Sequence, residues 1–150
     1  MTLYEILLVV HIFSAIIGLG PGFVMTFIAK KSSTMSELRH AFYFRHKIHI
    51  FVMVGSTLLL VTGIWMGVLN PILFRKGWYT ISIFLYFVTL AAGPFVLKPI
   101  MKPIKEILRT EEGEDIPHAY IGHAKQLYVV EHVTNVILII IIGLMILKPF

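Results

Sequence analysis

At 150 residues the chain has room for one domain, and it is 57% hydrophobic and 14% charged, with a mean hydropathy of +0.86. A soluble domain carries about 25% charge. This composition therefore excludes an ordinary soluble enzyme, a disordered chain and a nucleic-acid-binding domain, despite a net charge of +5. The absence of cysteine excludes disulfides, thiol catalysis, iron–sulfur clusters and covalent c-type haem attachment.

In chain order, four runs lack Asp, Glu, Lys and Arg: residues 6–29, 48–74, 77–97 and, broken only by Glu131, 126–147. A helix needs about 20 apolar residues to cross the hydrocarbon core. In lipid each backbone polar group must be satisfied within its own segment, which forces helix. The expectation is an all-α, single integral membrane domain over residues 1–150: a four-transmembrane-helix bundle. Its spans are about 4–29, 48–69, 78–97 and 126–147, with loops about 30–47 and 98–125. No Lys or Arg precedes the first run and no small-residue cleavage site closes it, so it reads as a retained span rather than a signal peptide.

Ten Lys and Arg fall in the two loops and three (Arg75, Lys76, Lys148) on the opposite side. The positive-inside rule places those loops in the cytoplasm and both termini outside, a multi-pass topology in a bacterial inner membrane. The basic balance then reports contact with the lipid bilayer and its anionic headgroups, with no nucleic acid.

Thr34-Met35-Ser36-Glu37 has capping-box spacing and predicts a second helix over about 35–69, roughly 52 Å long. Asn70-Pro71 ends it. Pro99 and Pro103 predict the end of the third helix, with Ile104, Ile107 and Leu108 lying on the headgroup interface. Residues 111–115 (EEGED) read as a solvated acidic loop. Asp115 as cap and Pro117 in the first turn predict a fourth helix running to about 147.

Gly20-Pro21-Gly22-Phe23-Val24 is echoed by Gly93-Pro94-Phe95-Val96, and each precedes a basic loop and a helix with Tyr and His near its start. The echo is compatible with two repeated helix hairpins in a parallel arrangement. Pro21 and Pro94 are expected to kink their helices. Gly18 and Gly22, with Ser14, and Gly63 and Gly67 recur every four residues. They suit close packing inside the bundle, or a homodimer interface through Gly18, Gly22, Gly63 and Gly67. Tyr4, Trp65, Trp78 and Tyr79 read as interfacial anchors.

Polar groups at membrane depth are functional candidates. Seven histidines stand out in so apolar a chain. His46, His49 and Met53 share one face of helix two, and Lys125, Tyr128, Glu131, His132 and Asn135 form a polar stripe on helix four. If the faces meet, His46, His49, Met53, Glu131 and His132 make a candidate metal set, since imidazole suits haem iron, copper and zinc. The competing reading has these groups hydrogen-bonding one another. His11 lies about two turns inside the first span and roughly 15 Å in depth from His132, so one iron cannot take both. On its own it suits a bond to a neighbour such as Ser14.

His11 followed by Gly18 in the first span, with Thr62-Gly63 in the second, resembles a small bacterial integral membrane family of unknown function. The chain is also distantly similar to HemJ-type protoporphyrinogen oxidase and CopD-type membrane domains. The resemblance implies a four-helix bundle and, from the HemJ type, haem b at His11. Candidate cofactor-binding residues are therefore His11 by resemblance and His46, His49 and His132 by geometry. The leading expectation is binding of haem b or a transition metal for membrane redox chemistry. The alternative is a non-enzymatic membrane protein: a transporter subunit, a lipid-binding protein or an assembly partner. Copper handling, suggested by seven Met, ranks last, because the methionines are scattered in depth. Reaction, substrate and oligomeric state stay open at this level.

Overall fold

In the computed structural model, which describes residues 1–150, Thr2 opens the first helix. Its hydroxyl accepts the Glu5 N–H at 3.3 Å, and the Glu5 carboxylate accepts the Thr2 N–H at 2.8 Å. This closed capping box satisfies two of the donors that a helix start leaves free. Helix α1 runs Leu3–Lys30 and α2 runs Met35–Leu69. The Thr34 hydroxyl caps α2 through the Glu37 N–H at 3.2 Å, but the Glu37 carboxylate turns to the Ser33 N–H at 2.7 Å, so only half of the expected box forms. After Asn70, a 3₁₀ turn at Pro71–Arg75 leads into α3 (Gly77–Ala92).

The prolines do not end the third helix. Pro94 has no N–H to give to Leu90, whose carbonyl takes the Gly93 N–H instead, and the chain passes through one π turn at Gly93–Leu97. Helix α4 (Lys98–Thr110) then continues, with Pro99 in its first turn and Pro103 inside it, each giving up one backbone donor. α3 and α4 thus form one rod, Gly77–Thr110. Ile104 is fully buried and Ile107 and Leu108 are half-buried against α2 and α5. The apolar side of α4 therefore packs on protein, not on headgroups. Helix α5 spans His118–Leu147. Its cap position is Pro117 rather than Asp115, and no side chain caps it.

Glu114 is held elsewhere. Its carbonyl accepts the Met35 N–H at 2.9 Å and its carboxylate the Ser36 N–H at 3.3 Å. The acidic loop, exposed throughout, thus places one negative charge on the positive end of α2.

α1 packs along α2, and α3 and α4 pack along α5. These are two helix hairpins. They differ locally, since α1 runs on through Pro21 while the rod holding Pro94 passes through the π turn. The hairpins meet in two clusters. One, around Met35, Leu38, Ile104 and Leu127, lies at the end bearing the basic loops. The other, around Leu19, Leu59, Tyr86, Leu138 and Ile141, lies near mid-depth.

Only 28 of 150 residues are buried, while Phe13, Ile16, Phe51, Phe84, Val133 and Ile139 are exposed. A water-soluble monomer does not carry apolar surface on that scale. Four helices are long and apolar enough to cross a membrane, and lipid is the solvent that such a surface fits.

Candidate functional site

The polar centre at the basic end is built around Arg45. Its Nη1 donates to the Met25 carbonyl of α1 at 2.6 Å, and its Nη2 donates to the Glu131 carboxylate of α5. The other Glu131 oxygen accepts the Thr26 hydroxyl. The Phe42 ring lies against the guanidinium at 5.3 Å. The ion pair is buried, at 6% and 13% side-chain exposure, and it ties α1, α2 and α5 together. Arg45 Nε is buried without an acceptor. Sequence reasoning counted Arg45 only as a loop charge. The signal that could have found it is a lone Glu131 at the same membrane boundary.

This pair explains why the two expected polar faces do not converge. Arg45, Ser56, Leu59, Thr62 and Gly63 form the buried side of α2. His46 and Met53 lie about 100° and 80° round the helix from Arg45. His46, His49 and Met53 are exposed, as is His132. Glu131 is occupied by Arg45 and Thr26, and no group of three His, Asp or Glu side chains is arranged to hold a metal ion. Tyr128 meets Tyr120 instead, hydroxyl to hydroxyl at 3.1 Å.

At the other end, where Thr2, the 3₁₀ turn and Lys148 gather, the hairpins stand apart around a cavity of about 790 Å³. Twenty of its 25 lining residues are hydrophobic, the composition expected of a ligand site with a few placed polar groups. Trp78 and Tyr79 belong to it. They are not interfacial anchors but buried residues, and the Tyr79 hydroxyl donates to the Gly63 carbonyl at 2.6 Å. Tyr86 likewise donates to the Ser56 carbonyl at 3.0 Å. Ser82, only 1% exposed, also lines the wall and spends its hydroxyl on Trp78.

His11 is the one imidazole in the wall. Its partner is not Ser14, whose hydroxyl donates back to Val10 at 2.7 Å. Instead Nδ1 lies 2.9 Å from the Thr62 hydroxyl. That hydroxyl has a single proton, directed at the Leu58 carbonyl at 2.7 Å and the Leu59 carbonyl at 3.2 Å. With two carbonyls in reach of that proton, the arrangement suits Nδ1–H as the donor to Thr62, the tautomer that leaves the lone pair on Nε2. Gly63 makes the room: a Cβ there would sit 3.1 Å from His11 Cε1. His11 is half-buried, and its ring stands in the cavity wall.

Four apolar rods, a lipid-facing exterior and polar groups confined to helix contacts are the marks of an integral membrane protein, and one family fits them. Residues 5–149 match the profile of a family described as predicted integral membrane protein, DUF2269. The chain belongs to that family. The match covers His11, Thr62, Arg45, Glu131 and Lys148 alike. No curated protein and no solved structure matches the chain. The small residues of this family member are mostly spent inside it. Gly18 packs on the α2 backbone, Gly63 on His11, and Gly67 beneath Phe74 and the Tyr79 hydroxyl, while Gly22 has open space beside it.

Proposed function

We propose that this protein binds haem b in the cavity between its two hairpins, where His11 would hold the iron through its imidazole. The observation that carries the reading is the His11 ring in the wall of an apolar cavity, its Nδ1 2.9 Å from a Thr62 hydroxyl whose own proton has the Leu58 carbonyl at 2.7 Å. Histidines that ligate metals almost always donate their other N–H in this way, which sets the tautomer and ring orientation. Met66 and Met145 also line the cavity, so thioethers stand in the same wall. Bound there, haem would supply one-electron chemistry, tuned by the histidine that holds it and by its burial. The protein's own part is to present the imidazole, to hold it through Thr62 and to keep water out. By the distribution of Lys and Arg, the cavity lies in the outer leaflet of a bacterial cytoplasmic membrane.

The test is the absorption spectrum of the purified protein with iron analysis. A Soret band with stoichiometric iron is expected. It should be lost in His11→Ala and kept in His46→Ala, His49→Ala and His132→Ala. Loss of the band in the His132 variant but not the His11 variant would move the site to the basic end. Absence of a band in protein from haem-supplemented cells would sink the reading. The apolar lining would then favour the second one, a non-enzymatic carrier of an apolar molecule.

A further inference from the structure

Among the residues lining the cavity, Lys148 is the only one with a charge. Its backbone is the only non-glycine in the chain with positive φ (φ 47°, ψ 53°). Its N–H closes α5 on the Leu144 carbonyl at 2.9 Å, and a helix end of this kind ordinarily carries Gly. A lysine costs more there than Gly would.

The side chain is also placed. Lys148 Nζ lies over the Trp78 ring at 5.6 Å, and Trp78 is itself a wall residue. The segment after α5 is pinned beside it. A main-chain oxygen of Phe150 accepts the Trp78 N–H at 3.2 Å, and the Phe150 ring packs on Gly77. Neither of the two ion pairs in the protein involves Lys148. An exposed ammonium thus stands over Trp78 at the rim of an apolar cavity, outside salt-bridge distance of any Asp or Glu.

We propose that Lys148 is the anion anchor of this cavity, and that its ligand is an apolar molecule ending in a carboxylate. The apolar body would fill the space between the hairpins, and the acid group would meet Nζ at the rim. This rests on the cavity being a ligand site, and not on haem being the ligand. Porphyrin propionates and the carboxylate of a fatty acid share the chemistry.

The experiment uses the full chain in nanodiscs of uncharged lipid and measures binding by fluorescence. The probes are metal-free protoporphyrin IX and its dimethyl ester, and a fluorescent polyene fatty acid and its methyl ester. Without iron, ligation by His11 plays no part. Charge-assisted hydrogen bonds make the free acid about tenfold tighter than its ester in the wild type. The acid-to-ester ratio should fall to near one in Lys148→Gly and Lys148→Met and return in Lys148→Arg. Lys148→Gly cannot be dismissed as a folding defect, because Gly suits this backbone conformation. The pair that shows the preference identifies the source of the carboxylate. An unchanged ratio in Lys148→Gly, or no binding of any probe by folded wild-type protein, would overturn the proposal. A missing Soret band alongside an intact, Lys148-dependent ratio would remove haem and leave the anchor standing.

Discussion

Arg45→Ala is expected to cost about 3–5 kcal/mol of stability, because it leaves the Glu131 carboxylate buried without its cation. The guanidinium reaches two other helices at once, the Met25 carbonyl on α1 and the Glu131 carboxylate on α5. Arg45→Lys should recover only part of the loss, since an ammonium is a point charge and not a planar fork. Glu131→Gln is expected to destabilise as well, by stranding the arginine. The double change Arg45→Met with Glu131→Leu should be far milder than either single truncation. Taking both charges out of water is expensive, and an apolar pair of similar volume avoids that expense. The unpaired Arg45 Nε points the same way: the pair orders the three helices more than it adds net stability. Thermal unfolding in mild detergent, followed by circular dichroism, reads all four variants. An Arg45→Ala protein that melts with the wild type would show the pair to be incidental.

Much of this architecture is legible one residue at a time. Thr34 and Asn70-Pro71 mark the two ends of α2, because capping and the steric effect of proline are local. The same proline rule fails at Pro99 and Pro103. There the chain stays helical without those two donors, and packing of Ile104 against α2 and α5 holds the continuation in place. His11 carries its own signal as a polar group in an apolar run. Its partner Thr62 does not, since a threonine in a span is ordinarily satisfied by its own helix. Arg45 is hidden by its position, because a basic residue near a span boundary reads as topology. Only the contact with Glu131 shows that it is structural. Lys148 is hidden in the same way among the three charges of the sparser side, and its left-handed backbone is a property of the folded helix end alone.

Enlarging Gly18 or Gly55 is expected to separate α1 from α2 and to empty the cavity of ligand together. A Cβ on Gly18 would lie 2.6 Å from the Ser56 backbone nitrogen and 2.7 Å from the Gly55 carbonyl carbon, and one on Gly55 would lie 2.6 Å from Gly18 Cα. The obstacles are backbone atoms, so no side chain can swing aside. Helix propensity opposes this result, since alanine is favoured over glycine by about 1 kcal/mol inside a helix. Overpacking costs about 1–3 kcal/mol or more, so the steric effect wins for Gly18→Ala and by a wider margin for Gly55→Val. The functional consequence follows from the helix repeat. His11 lies seven residues before Gly18 and Thr62 seven after Gly55, two turns along the same antiparallel contact. A wedge at the glycines therefore pulls on the 2.9 Å bond between His11 and Thr62, which orients the imidazole. Both variants should melt lower and bind ligand more weakly than their stability loss accounts for. Gly22→Ala is the control, since a Cβ there meets nothing within 4 Å, and it should match or exceed the wild type in stability. A Gly55→Val protein with a wild-type melt and undiminished ligand binding would show that the helices do not meet at these two glycines.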